Sequence, residues 1–497
     1  MAHLRIGIDV GGTFTHGVIL VPPGRVAATA VHPTTHGHEH GVAEGVRRVL
    51  AELVAQIDPG EVEMVAHSTT QATNALLEGD VSGVHLAAIA PPGEAGMVRR
   101  ALADRLLDIG NGHHVKLWPK LLLDWRECTP EHFPAVIEGD IEPWSAPDGV
   151  LSTVPEPRDW TTPGWDGNGI PEGFRVSEQL PVAVVQPLAG GQELREQTVA
   201  AHYRACGHHA VCAADITQVL GLQARARTAC VNASMLPAMV ATAEYTARAV
   251  ADVLPGVPVQ VVRSDGGAMG LAELRRQPIS SLLSGPAAGA SAALHVTGLA
   301  NAVFIEVGGT STDITLIKDG RVRHRYATVG GQRLMVPALD LRTVAVGGGS
   351  MLRTDLSGFG PRSAHIVPLP YMFRSTSVWG SISAIQPWQD LRGTGKYLVA
   401  RDDEAGHAAV TATDVWLLTD SARDELAAGR FSTELDLEKY RHSLGPELAA
   451  RVREEYVPVL DKAAAVIAGA VRELARVHGA DLSQFQLVAG GGGAPVY

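Results

Sequence analysis

Aromatic residues are scarce in this chain: Phe, Tyr and Trp together make up 5% of its 497 residues. Cysteine is scarcer still. Cys128, Cys206, Cys212 and Cys230 have neither zinc nor redox spacing, so they read as reduced, mostly buried thiols. Long apolar runs are missing. The most apolar stretch, residues 229–262, is broken by Asn232, Glu244, Arg248 and Asp252, which excludes a spanning helix. Residues 1–5 run straight into a strand-like segment with no basic start, apolar core or cleavage site, so the chain reads as cytoplasmic. A basic excess is also lacking: 41 Lys and Arg stand against 53 Asp and Glu, for a net charge of −12. That balance argues against a dedicated nucleic-acid binder. With 45% hydrophobic and 19% charged residues, disordered, collagen-like and coiled-coil chains are excluded.

Glycine is what the chain has in quantity, 54 residues of it. In an α/β protein such glycines let the backbone approach a ligand. The most informative pattern is an internal echo. Asp9-Val10-Gly11-Gly12-Thr13-Phe14-Thr15 returns as Glu306-Val307-Gly308-Gly309-Thr310-Ser311-Thr312. Each copy follows a short apolar strand and precedes another, so each predicts a strand, a Gly-Gly-Thr turn and a second strand. The distance between copies is far too long for a solenoid repeat and points to two related domains.

The first domain is expected over residues 1–180 and the second over 181–497. Strands are predicted over 5–10, 17–21, 64–67, 84–90, 182–186, 259–263 and 486–489. Helices are predicted over 40–56, 70–77, 96–108, 192–205, 222–253 with a break or bend at Pro237, and 457–478. The mixed Pro and Gly content of 143–181 reads as an irregular, exposed connection.

A carboxylate at a strand end beside a glycine turn is a phosphate cradle in the making. Backbone N–H groups converge where no Cβ intervenes, and Thr13 and Thr15 add hydroxyls. The carboxylate repels phosphate directly but holds a hydrated Mg²⁺ that bridges to it. The second cradle runs from Glu306 through Gly308, Gly309, Thr310 and Ser311 to Asp313. A third glycine element, Gly490, Gly491, Gly492 and Gly493, follows a predicted strand and lets a flat adenine or ribose lie close to the backbone.

These elements in this order resemble the actin, Hsp70 and sugar-kinase superfamily, which implies two ribonuclease-H-like domains flanking an ATP cleft. Further motifs narrow the resemblance. They are the segment from His67 to Glu78, Ser264-Asp265-Gly266-Gly267, Leu283-Ser284-Gly285-Pro286-Ala287-Ala288-Gly289, and Val346-Gly347-Gly348-Gly349-Ser350. Together they resemble the A-type subunit of the hydantoinase/oxoprolinase family over nearly the whole chain. The resemblance implies ATP-dependent activation of a carbonyl or amide oxygen, on a hydantoin, lactam or oxoproline. Hydrolysis then follows, commonly with a B-type partner subunit; in the acetone- and acetophenone-carboxylase relatives the substrate is a ketone and carboxylation replaces hydrolysis. It further implies catalytic roles for Asp9, Glu306 and Asp313, with Asp9 and Glu306 positioning Mg²⁺. Gly11, Gly12, Thr13, Thr15, Gly308, Gly309, Thr310 and Ser311 would hold phosphates, and Gly490, Gly491, Gly492 and Gly493 adenosine. Thr69, Thr70, Asn74, Asp265, Ser284, Gly285 and Arg342 are the candidate substrate contacts, and self-association is a further expectation.

The chain departs from the family pattern at four positions. His16 replaces an acidic residue, Glu306 stands for the commoner Asp, Ser68 replaces a glycine, and Arg342 replaces a His. The resemblance also implies further chain beyond the final glycine run. These departures motivate a second expectation, a catalytically degenerate, nucleotide-gated interaction subunit. A third is a small-molecule kinase, which needs a carboxylate base near a substrate hydroxyl. Thr69 and Ser284 read equally as helix caps, and Asp265-Gly266-Gly267 as a tight turn. His32, His36, His38 and His40 alternate without metal-ligand spacing and read as a solvated loop; the pairs His113-His114 and His208-His209 make no stronger case.

Overall fold

The computed structural model describes residues 3–11, 14–35, 42–69, 71–110, 112–130, 180–187, 193–375, 382–389, 395–402, 406–428 and 437–497. Gly12, Thr13 and Thr70, together with His36, His38, His40 and nearly all of the 143–181 connection, lie outside the described residues. The chain forms two compact units, Met1–Ala287 with His324–Ala338, and Ala288–Arg323 with Leu339–Tyr497.

The first unit opens on β1 (Leu4–Val10), β2 (Phe14–Val21) and β3 (Arg25–Pro33), an antiparallel meander. After helix α1 (Ala43–Val54), strand β4 (Val62–Thr69) pairs with β1 in parallel. Alternation decides the faces: Leu4, Ile6, Ile8 and Val10 of β1 are buried, while Asp9 keeps partial exposure. Helix α1 covers the buried face through Val46, Val49, Leu50 and Leu53, the i, i+3, i+4, i+7 stripe of an amphipathic helix. Gly17 of β2 has to be glycine, since a Cβ there would overlap the Val49 and Leu53 side chains. Strands β10 (Val259–Val262) and β11 (Ala268–Gly270) extend the sheet to the order β11-β10-β4-β1-β2-β3.

A second sheet of this unit has the order β6-β7-β5-β8-β9, built from β5 (Val84–Ala90), β6 (Leu106–Gly110), β7 (His113–Asp124), β8 (Val182–Val185) and β9 (Ala210–Cys212). The junction expected at 180/181 falls between β7 and β8 of this sheet. The helix expected over 96–108 ends at Ala101, because Leu106–Gly110 turns back to pair with β7 as a hairpin. Helix Leu222–Val253 runs uninterrupted through Pro237. Its Arg225 meets Glu196 at 2.7 Å, with both side chains fully buried. Glu196 also accepts from the backbone N–H groups of Gln186 and Ala214, so both of its carboxylate oxygens are engaged.

The second unit repeats the opening of the first. Strands β12 (Ala302–Val307) and β13 (Thr312–Lys318) form a hairpin, and strand Gln486–Gly490 pairs with β12 in parallel, as β4 does with β1. Asp319 and Gly320, both at positive φ, turn β13 into β14 (Arg321–Val322), and strand Leu341–Val344 also pairs with β13. Helix Val457–Val477 covers one face, its Ile467 and Leu474 packing on Val303, Ile314 and Leu316. A separate core of this unit gathers Trp416, Tyr440 and Tyr456 around short strands.

Candidate functional site

The two glycine turns are built alike. In the first, Val10 pairs with Thr15, and the Gly11 N–H donates to the Phe14 carbonyl at 3.0 Å. In the second, Val307 pairs with Thr312, and the Gly308 N–H donates to the Ser311 carbonyl at 2.9 Å. The first glycine of each run therefore closes its turn. The acids fall one pair further back: Asp9 stands opposite His16, and Glu306 opposite Asp313. Residues directly opposite in an antiparallel pair share a face, so each acid has its cross-strand partner beside it.

Around the first turn, β4 brings Ser68 level with Asp9, and the Ser68 hydroxyl donates to Asp9 Oδ1 at 2.5 Å. His16, directly across, is exposed. Thr15 lies on the other face, fully buried, its hydroxyl 3.3 Å from that of Thr34. Thr34 in turn donates to the Gly11 carbonyl at 2.8 Å. Thr15 thus anchors the turn from below.

Around the second turn, Glu306 lies over helix Ser284–Thr297, so close that a Cβ on Gly289 would overlap its carboxylate. Asp313 is half-buried, and loss of solvent pushes its carboxyl up to about 6. The Thr343 hydroxyl, donating to Asp313 Oδ1 at 2.5 Å, opposes that shift by favouring the charged form. Glu306, Asp313 and Thr343 share one face by strand register.

Two more glycine runs brace this turn. The Gly348 N–H donates to the Gly308 carbonyl at 2.9 Å, and the Gly349 N–H to the Gly309 carbonyl at 2.7 Å. A Cβ at Gly347 would sit 2.6 Å from the Gly308 oxygen. From the other side the Gly493 N–H donates to the Val307 carbonyl at 2.9 Å, and Gly491 adopts φ +84° where a Cβ would strike Val307. Gly490 pairs with Glu306. Thr413 holds the Gly348 carbonyl through both its N–H, at 2.9 Å, and its hydroxyl, at 2.8 Å.

The candidate substrate contacts are dispersed among several local networks. Ser284 is fully buried; its hydroxyl accepts from the Thr69 N–H at 3.1 Å and donates to the Thr69 carbonyl at 2.8 Å, tying β4 to the helix start. Gly285 follows it, half-buried. The Thr69 hydroxyl accepts from the Gln71 N–H at 3.1 Å, and Asn74 lies on the next turn of α2 (Gln71–Glu78). Asp265 forms the turn between β10 and β11, with Oδ1 accepting from Gly267 N–H at 3.0 Å and Oδ2 3.3 Å from Arg263. Arg342 pairs with Ile314, placing it on the sheet face away from Asp313, where it lies 3.4 Å from Asp340. Asp340 is also 2.7 Å from His478 Nε2. Among the described residues no three His, Cys, Asp or Glu side chains gather as a metal cage.

Sequence reasoning missed Ser68 as a partner of Asp9, and it gave no role to Thr343 beside Asp313 or to Gly289, which ends one of the family motifs, beside Glu306. Strand pairing and helix approach bring these three in from a distance. The run 347–349 was visible as a motif, but its bracing of Gly308 and Gly309 required the fold.

The family model described as Hydantoinase/oxoprolinase matches residues 225–497, and the Hydantoinase/oxoprolinase N-terminal region matches 5–131. The caprolactamase subunit alpha of Pseudomonas jessenii is 27% identical over 391 residues, covering 74% of this chain and 52% of that one. The 5-oxoprolinase of Saccharomyces cerevisiae is 26% identical over 411 residues, covering 75% of this chain and 30% of that one. This chain therefore spans about half of the first relative's length and under a third of the second's. Among solved structures, nucleotide-free acetone carboxylase aligns with a TM-score of 0.60 at 17% identity, over 100% of this chain and 66% of that one. The ATP-dependent caprolactamase from Pseudomonas jessenii aligns at 0.58 and 21% identity, over 98% and 65%. These structures share the α/β fold. With its family model matched over more than half its residues, and the twin glycine hairpins in place, the chain belongs to the hydantoinase/oxoprolinase family as an A-type member.

Proposed function

We propose that this chain is the nucleotide-handling subunit of an ATP-dependent enzyme that activates the oxygen of a cyclic amide by phosphorylation. The observation that carries the reading is the pairing of Glu306 with Asp313 beside the braced turn 308–311, matched in register by Asp9 beside Gly11. In this reading each of the two units carries a ribonuclease-H-like domain that opens on its own glycine hairpin.

The donor set suits magnesium. Glu306, Asp313 and Asp9 offer hard oxygen ligands, one or two per hairpin, and Mg²⁺ takes few carboxylates while keeping water and phosphate oxygens. Asp9 and Glu306 would hold it, and when bound it neutralises charge on the transferring phosphoryl group. Gly309, Thr310 and Ser311, with Gly12 and Thr13 of the first turn, would hold phosphates. Gly490, Gly491, Gly492 and Gly493 would lie along adenosine.

An amide is a poor electrophile. Transfer of the γ-phosphoryl group to its oxygen breaks the bond to the β-phosphate, releases ADP and leaves a phosphorylated imidate. Because the amide oxygen has no proton to lose, this step calls for positioning and charge stabilisation rather than a strong base. Water then adds to the imidate carbon, the C–N bond breaks with the proton passing to nitrogen so that the ring opens to an acyl phosphate and an amine, and a second water cleaves the acyl phosphate to carboxylate and phosphate. Asp313 orients the first water, and a carboxyl near 6 is ionised at neutral pH while still able to accept a proton. The caprolactamase and 5-oxoprolinase relatives support a lactam substrate, and the first, a subunit alpha, supports a partner subunit, in this reading of B type; carboxylation of a ketone is the variant reading.

The test is a coupled ADP-release assay with caprolactam, 5-oxoproline and hydantoin, run with and without a B-type partner. Substrate-stimulated ADP release supports the proposal, and its absence under every condition rejects it. The exposed His16 opposite Asp9 favours a second reading, a nucleotide-binding interaction subunit. That reading predicts calorimetric binding of ATP–Mg without turnover.

A further inference from the structure

In the first unit, away from the hairpins, a concavity of about 100 Å³ is lined by Arg204, His208, His209, Arg275 and Arg276 over an apolar floor of Ala210 and Leu236. Three elements supply the nitrogen-bearing side chains: helix Glu193–Ala205, the loop leading into β9, and the turn after helix Leu271–Leu274. Arg204 is anchored at the rim, its Nε donating to the Ala210 carbonyl at 2.8 Å and its Nη2 3.4 Å from Asp215. The Nε of the half-buried Arg275 and the Nδ1 of the half-buried His208 are themselves shielded from solvent and have no hydrogen-bond partner among the described residues. The His208 ring packs edge-on to Tyr203 at 6.0 Å, which fixes its plane. Arg276 and His209 are exposed.

Three guanidiniums brought to one concavity repel one another. In a chain of net charge −12, a lining that holds three guanidiniums and no carboxylate runs against the general balance of charge. The buried Arg275 Nε–H without an acceptor adds a desolvation cost that an oxygen ligand would relieve. Guanidinium forks match the oxygens of phosphate in geometry and charge. The volume lies well below the roughly 300–1,000 Å³ that drug-sized ligands fill, so a nucleotide is too large.

We propose that this concavity binds a phosphate-sized tetrahedral oxyanion, at a site separate from the glycine hairpins and independent of how they are read. The probe is inorganic phosphate, titrated calorimetrically into the full chain in the presence of a non-hydrolysable ATP analogue and Mg²⁺, so that the hairpins are engaged elsewhere. One equivalent of phosphate should bind, sulfate should compete, and acetate should not. The Arg275→Gln/Arg276→Gln variant should bind phosphate about tenfold more weakly or worse while melting, without phosphate, at the wild-type temperature. If that variant is unstable, Arg276→Gln/His209→Gln removes two exposed side chains and should still weaken binding severalfold. No phosphate binding by the wild-type chain, acetate binding as well as phosphate, or undiminished binding in a folded variant would each overturn the assignment.

Discussion

Asp9 faces His16 across β1 and β2 at the register position where Glu306 faces Asp313 across β12 and β13. One hairpin thus pairs an acid with a base, the other an acid with an acid. If Asp9 works through Mg²⁺, a second carboxylate in place of His16 strengthens that hold. His16→Asp should lower the Mg²⁺ concentration at half-maximal nucleotide binding by about tenfold. Calorimetric nucleotide titrations at stepped Mg²⁺ check it, and an unchanged Mg²⁺ requirement removes Asp9 from the metal.

Asp313 carries a stability cost with a definite sign. Its folded value, about 6, exceeds the ordinary 3.8, so between these limits the folded chain binds more protons than the unfolded one. Stability therefore declines as pH rises from about 4 to about 6, and the cost persists above that. Asp313→Asn should stabilise the chain at pH 7–8 by roughly 1–2 kcal/mol after allowance for partial exposure, with no gain at pH 3.5. Substrate-stimulated ADP release should fall by about a hundredfold or more. Thermal melts across pH and the coupled assay check the two halves separately.

Gly289 offers a test of Glu306 that leaves the carboxylate in place. Alanine improves an exposed helix interior by about 1 kcal/mol over glycine, yet here its Cβ would displace the Glu306 side chain. Gly289→Ala should keep thermal stability within about 1 kcal/mol of wild type while weakening ATP–Mg binding about tenfold. Equal binding in a folded variant would separate Glu306 from the nucleotide.

Glu196 and Arg225 form a buried pair at 2.7 Å. Arg225→Met strands a buried carboxylate and should cost about 3–5 kcal/mol in urea unfolding. Replacing Glu196 by Gln in that background should recover part of the loss, because the stranded charge goes with it.

The twin hairpins were legible because alternation and a Gly-Gly-Thr turn are local signals, and β1, β5, β12 and the long helix at 222–253 follow from periodicity alone. What surrounds the hairpins was not. Ser68 reaches Asp9 only through the parallel pairing of β4 with β1, and Thr343 reaches Asp313 only because strand Leu341–Val344 pairs with β13. That pairing also sets Arg342, one residue earlier, on the opposite face. The segment 106–110 continued the apolar count of the preceding helix, and its strand identity comes from β7, a partner that no local window contains.

The turn at 308–311 has no slack of its own. Gly308 is tied to Gly348, Gly348 to Thr413, and Val307 to Gly493. A shift in the loop must drag residue 348 and the start of the Thr411-capped helix along with it, or break hydrogen bonds in the attempt. The Gly308 turn is thus joined through Thr413 to the short helix that carries Trp416, so displacing one strains the hydrogen bonds of the other.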